Sequence, residues 1–235
     1  MLQTEQTVRA NIRNRDGKRV YFLDAKDTLT PGARDYLTRE RIEIRPADQA
    51  AITEYKLLCG GVLQKKPEQM THLYGDVLVL KTHPRIAFRG AMDTLEGELL
   101  VCQAGLKPPF SPQIGEILDL ARSLIRCEVL SEPVKPLRLC GMTEQELRSR
   151  SHRPQDYYGQ PHFMPAATDP LEVLLLNRCR CAIRNAELAA AQAFTDRDGN
   201  CSRVDILQAL NRMAPSIRAA SSRDFGMVSK KPLET

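Results

Sequence analysis

The chain is predicted to be mainly α-helical, an antiparallel five-helix bundle with a small α/β appendage at its N-terminal end. Two patterns predict this. From Pro84 to about residue 219 apolar residues recur at helical intervals, and four or five amphipathic helices of that length cannot bury their stripes singly. Ahead of them, short apolar runs bounded by turn residues read as strands. With 42% apolar and 27% charged residues, the 235-residue chain has an ordinary globular composition, with room for one sizeable domain and an appendage.

In chain order, Gly17 and Lys18 make a turn before the strand Val20, Tyr21, Phe22 and Leu23, which Asp24 and Asp27 bound. Thr30 suits a helix N-cap with Pro31 at the first helical position, and the helix continues through Ala33, Tyr36 and Leu37. Arg41, Ile42, Glu43 and Ile44 alternate as a second strand. Pro46 to Leu58 is expected to form a connecting helix that Gly60 and Gly61 stop, closing an appendage of residues 1–58. The basic stretch Lys65, Lys66 and Pro67, leading to Thr71, His72 and Leu73, reads as a loop. It opens the bundle of residues 59–219, after which residues 220–235 are expected to be a flexible tail.

The first bundle helix begins at Pro84 and carries Ile86, Met92, Leu95, Leu99 and Cys102 to Gly105 and the prolines 108 and 109. The second follows Ser111 and Pro112, with Ile114, Ile117, Leu118, Ala121, Leu124 and Ile125 on one face. Thr143 and Glu146 have capping-box spacing for a short third helix, followed by a polar loop bearing aromatic residues. Asp169 is expected to cap the longest helix, with Pro170 first and Val173, Leu174, Leu176, Cys179, Ile183, Ala186 and Ala190 leading to Phe194. A last helix from Ser202 includes Ile206, Leu210 and Met213.

Composition excludes several classes of function. A net charge of +5 is mild, far from the concentrated basic face of a reader of duplex phosphates, so no nucleic-acid partner is expected. No apolar run approaches the roughly 20 residues of a membrane span, and Met1 to Glu5 show no hydrophobic signal core. A cytoplasmic protein is expected. The 7 cysteines are odd in number and scattered through helical segments, so they read as free thiols.

Most candidate sites fail on spacing. Asp196, Asp198, Asn200 and Ser202 resemble the opening of a calcium loop, but Cys201 stands where glycine should make the sharp turn and Leu207 where a bidentate carboxylate belongs. A turn with a helix cap is the reading. Cys179 and Cys181 point to different sides of a helix, and His72 and His83 make no local ligand pair, so no zinc site is expected. What remains is a polar stripe on the long helix: Asn177, Arg180, Arg184 and Glu187. An isolated helix with this stripe would turn it to solvent. A largely buried one must pair its guanidinium groups or offer them to an anion, with Asp93 a natural partner.

Two stretches then resemble a known family. Thr71-His72-Leu73-Tyr74-Gly75 through His83-Pro84-Arg85-Ile86-Ala87-Phe88-Arg89 and Met92-Asp93-Thr94-Leu95 is similar to the ATP:cob(I)alamin adenosyltransferases, as is Phe163-Met164-Pro165 followed by Leu176 through Glu187. Leu29-Thr30-Pro31-Gly32-Ala33-Arg34, Arg41-Ile42-Glu43-Ile44 and Lys65-Lys66-Pro67 resemble the ethanolamine-utilisation branch, and the resemblance spans most of residues 19–213.

It implies a homotrimer of five-helix bundles with ATP and the corrinoid at subunit interfaces. It also implies transfer of the 5′-deoxyadenosyl group of ATP to cob(I)alamin with magnesium on the phosphates. Carried over, Asp93 would pair with Arg180 across an interface, Arg184 would hold the phosphates and Glu187 would order Arg184. Asn177 and Thr71 fall at cofactor-binding positions, Lys65 and Lys66 at the phosphate loop, and Phe163 is the aromatic to wall the corrin. Phe110, Tyr157 and Tyr158 are expected to pack their loops instead. A reductase and an adenosylcobalamin-dependent enzyme are the implied partners, beside a bacterial microcompartment.

The Thr-Gly-Asp-x-Gly phosphate loop of the family's propanediol-utilisation branch is replaced here by Lys65 through Gln69. Of the cysteine cluster that holds a metal in some members only Cys59 remains, with Tyr55 and Lys56 at the paired positions, so no structural iron or zinc is expected. Two further readings stand beside the enzyme. One is a non-catalytic helical module that binds a corrinoid or nucleotide for delivery or assembly; the other, resting on mild positive charge alone, is a nucleic-acid or scaffold protein.

Overall fold

The computed structural model describes residues 1–15, 18–50, 54–108, 110–158 and 165–228. The chain divides into two compact units, Met1–His83 and Pro84–Thr235. It is mainly helical with small sheets, as the sequence predicts.

In the first unit, β1 (Leu2–Gln3) and α1 (Glu5–Ala10) precede β2 (Arg13–Arg15), β3 (Lys18–Leu23), β4 (Thr28–Leu29), α2 (Pro31–Arg39) and β5 (Glu43–Pro46). β1 pairs with β4 in parallel, and β3 lies between antiparallel β2 and parallel β5. Val8, Tyr21, Leu29, Ala33, Tyr36, Leu37 and Ile42 form the core of this half. Thr30 Oγ1 accepts from Ala33 N, the cap its position predicts, with Pro31 first in the helix. β5 starts two residues later than the expected Arg41 strand because Arg41 takes φ +53 and Ile42 N–H returns to Leu37 O, a Schellman closure of α2.

The expected connecting helix over Pro46–Leu58 does not form. A 3-10 turn at Ala47–Ala50 leads, past residues outside the description, to β6 (Tyr55–Leu57). β7 (Val62–Leu63), β8 (Met70–Tyr74) and β9 (Val77–Leu80) complete a sheet of order β7-β6-β9-β8, so Thr71 to Leu73 lie on a strand rather than in a loop. Neighbouring strands give Tyr55–Leu57 the hydrogen-bond partners that a solitary helix would have to supply for itself. The β8–β9 turn needs glycine: Gly75 has φ +54, and a Cβ there would sit 2.1 Å from Asn14 O.

The second unit contains α3 (Pro84–Gly105), α4 (Phe110–Leu130), β10 (Arg138–Leu139), β11 (Met142–Thr143), α5 (Glu144–His152), α6 (Pro154–Tyr158), α7 (Leu171–Phe194) and α8 (Val204–Val228). The Phe88–Phe194 ring contact near one end and Gly105 against Leu175 at the other run α3 and α7 in opposite directions. The core joins Phe88, Leu95, Leu99, Ile114, Leu124, Leu176, Ile183, Ile206 and Met213. The capping box forms as spaced: Thr143 Oγ1 accepts from Glu146 N and Glu146 Oε2 from Thr143 N.

Asp169 does not cap α7. Its Oδ2 accepts from Ala166 N instead, while Pro170, extended at ψ 145, stands outside the helix that begins at Leu171. At 25 residues α8 is one longer than the 24 of α7 and runs past residue 220 to Val228. No helix among the described residues is long and apolar enough to cross a membrane.

Candidate functional site on α7

The apolar period of α7 decides where its polar residues go. Val173, Leu176, Cys179, Ala182, Ile183, Ala186, Ala190 and Phe194 are buried, so Asn177, Arg180, Arg184 and Glu187 fall on the remaining side. Arg180 Nε donates to Asn177 Oδ1 at 3.1 Å, and its Nη2 donates to Cys181 Sγ at 3.7 Å. One turn on, Arg184 Nη1 donates to Glu187 Oε2 at 3.2 Å. The Arg184 side chain is 56% exposed and that of Glu187 16%, so in the single chain this is a solvent-reaching basic stripe. Two guanidinium groups one turn apart, both accessible, suit an anion with several oxygens.

Asp93 stands exposed on α3, with no hydrogen bond or ion pair among the described residues, so it does not meet Arg180 within the chain. Lys65 and Lys66 are exposed in the β7–β8 loop of the first unit, and Thr71 is in β8 opposite Val79. Phe163 lies outside the described residues. Phe110 packs against the core of the second unit, whereas Tyr157 is 50% exposed under Arg150, whose guanidinium stands 5.6 Å from the ring centre. Asp196 closes a turn, its Oδ1 accepting from Asp198 N and Asn200 N, and these backbone donors with the Asn200 side chain hold its carboxyl below the usual range. Cys179 is buried and Cys181 exposed, on different sides of the helix as expected. A hydrogen bond with the neighbouring free thiol of Cys102, together with burial, pushes the Cys179 thiol up.

A second polar cluster escaped the sequence reading. Glu128 of α4 is fully buried and accepts from both Arg85 Nε at 2.6 Å and Arg89 Nε at 2.8 Å, tying α4 to the start of α3. Arg203, just ahead of α8, forks onto both oxygens of Asp205 and donates to the carbonyls of Cys127 and Glu132, which lie close to Glu128 in sequence. The Arg203 fork holds the Asp205 carboxyl down at about 2, with Val134 N–H adding to it. The signal for Glu128 was present: it continues the buried stripe Ile117, Ala121, Leu124 of α4, where a carboxylate requires cationic partners.

Comparison with known proteins gives these residues a setting. The family model for cobalamin adenosyltransferase matches residues 62–217. The corrinoid adenosyltransferase EutT of Salmonella typhimurium is 31% identical, over 91% of this chain and 88% of that protein. EutT of Escherichia coli K12 is 30% identical over the same shares. Among solved structures, a variant PduO-type ATP:corrinoid adenosyltransferase from Lactobacillus reuteri complexed with cobalamin and ATP superposes with a TM-score of 0.52 at 18% identity, covering 68% of this chain and 89% of that one. A second variant of the same enzyme, complexed with ATP, also gives 0.52 at 18% identity, over 70% and 93%. At such identity the superpositions establish likeness of fold.

Proposed function

The chain belongs to the cobalamin adenosyltransferase family, in its ethanolamine-utilisation branch, and from that premise we propose how its residues carry the family's reaction. The enzyme transfers the 5′-deoxyadenosyl group of ATP to cob(I)alamin, giving adenosylcobalamin and triphosphate. The cobalt nucleophile attacks the ribose C5′; a cobalt–carbon bond forms, and the C5′–O bond breaks with its electron pair leaving on triphosphate. Catalysis therefore calls for in-line positioning and for cations where the leaving group gathers charge. The second unit as a five-helix antiparallel bundle, assembled as a trimer, is part of the same proposal.

The observation that carries the assignment of roles is the accessible pair Arg180 and Arg184 on one stripe of α7. Arg184 is assigned to the phosphates, exchanging or sharing its Glu187 contact, and Asp93 of one copy to Arg180 of another. Lys65, Lys66 and Thr71 are assigned to the phosphate loop, Asn177 to the ATP end of the stripe, and Phe163 to the apolar wall over the corrin.

Magnesium is proposed as an ion carried on the phosphate oxygens. The stripe has one carboxylate, Glu187, which Arg184 holds, so its four residues do not form a magnesium cage and no step is assigned to the ion. A one-electron reductase upstream, an adenosylcobalamin-dependent enzyme downstream and association with a bacterial microcompartment complete the proposal, with the cytoplasm as its setting.

The test is anaerobic turnover of ATP and chemically reduced cob(I)alamin, read as appearance of the light-sensitive cobalt–carbon product. Arg184→Ala is expected to fold and to lose at least a hundredfold in kcat/KM, about 3 kcal/mol of transition-state stabilisation. Unchanged turnover in that variant removes Arg184 from the phosphate site.

A further inference from the structure

The two arginines of the α7 stripe are held in different electrostatic states. Arg184 meets a carboxylate, Glu187, at 3.2 Å. Arg180 meets an amide oxygen and a sulfur: Nε donates to Asn177 Oδ1 and Nη2 to Cys181 Sγ. No carboxylate among the described residues lies within ion-pair reach of Arg180, and its Nη1 makes no hydrogen bond there. The carboxylate of Glu98, on the facing helix α3, is taken by Arg178 at 2.5 Å.

Deepening the functional reading above, on which it rests, we propose that Asn177 is a positioning residue that orients Arg180 without neutralising it, reserving that charge for an anion from outside the chain. An aspartate at 177 would have the same shape and make the stronger i,i+3 pair on the helix. It would also act as a built-in competitor for whatever oxyanion Arg180 serves. The amide fixes the guanidinium at Nε and so lowers the ordering cost of the external contact, while leaving the electrostatic attraction whole. The external oxyanion is either a carboxylate of a second copy of this chain or a phosphate of the nucleotide.

Asn177→Asp separates this role from a structural one, because a merely structural hydrogen bond survives the exchange. The variant is expected to keep or raise Tm and to lose at least tenfold in kcat/KM for ATP. Raised KM with unchanged mass by sedimentation identifies phosphate as the oxyanion; loss of assembly identifies the second copy's carboxylate. Wild-type kcat/KM together with wild-type assembly overturns the proposal. Should Asn177→Asp fail to fold, Asn177→Ala takes its place: it frees the guanidinium but keeps the charge, so a severalfold change in KM for ATP or in assembly is expected, and wild-type values in both overturn the proposal. Arg180→Ala tests the underlying reading separately. If it is active and assembled, Arg180 leaves the site; if it is inactive beside a wild-type-like Asn177→Asp, only the role of Asn177 falls.

Discussion

Glu128 shows how much one side chain can hold. Its carboxylate is 0% exposed and meets two guanidinium groups whose side chains are 23% and 20% exposed, so the attraction is weakly screened by water. Removing the carboxylate leaves cationic charge in a place built for a pair. Glu128→Ala is therefore expected to destabilise the protein by about 3 kcal/mol, measured as the shift in urea midpoint at constant m-value. A shift under about 0.5 kcal/mol, the range of ordinary surface substitutions, would show the pair to be as weak as an exposed one. The same scale separates legible residues from illegible ones. Arg180 and Arg184 could be read because residues three and four apart share a helix face; Glu128 and Arg85, 43 positions apart, meet only when two helices pack.

Among the elements, those with local causes came out as read. Thr30 caps α2 and Thr143 caps α5 because each hydroxyl reaches an N–H three residues ahead. Thr143→Ala should cost about 1 kcal/mol in urea denaturation, while Thr143→Ser should cost less because it keeps the acceptor. Equal loss in the two variants would argue that packing of the methyl group, and not the cap, stabilises α5. Elements with distant causes were misread. Tyr55–Leu57 is a strand because β9 pairs with it in parallel, Lys56 opposite Val77 and Leu57 opposite Leu78, a partner reached only after β7 and β8 have passed; Thr71–Leu73 is a strand because β9 folds back on it across the Gly75 turn. Asp169, read as the α7 cap, spends its carboxylate on Ala166 because the turn before the helix competes for it.

For the whole molecule, carboxyl groups held below their ordinary range set the response to acid. The Arg203 fork keeps Asp205 at about 2, below its ordinary 3.8; backbone donors of Thr143 and Asn200 lower Glu146 and Asp196. A carboxyl depressed on folding contributes stability above its unfolded pKa and loses it as pH falls toward the folded value. Stability should thus fall from about pH 4 toward pH 2. Asp205→Asn should flatten that fall and cost about 1 kcal/mol at neutral pH, a figure reduced for solvent screening of a carboxylate that is about a third exposed. Thermal unfolding followed at pH 7, 4 and 3 checks both; a mutant with the wild-type pH slope would remove Asp205 from the account.

The sequence by itself determined the helical period of α3, α4, α7 and α8, the two threonine caps, the basic stripe on α7 and, through ordered motifs, the family. Each is encoded in residues within one or two turns of one another, or in a pattern that survives reading in one dimension. Tertiary structure alone decided that the first unit carries a sheet where a connecting helix was expected, that Glu128 binds two arginines, and that Glu98 of the facing helix pairs with Arg178. Strand pairing, burial of charge and rotamer choice depend on neighbours that the chain brings together only by folding.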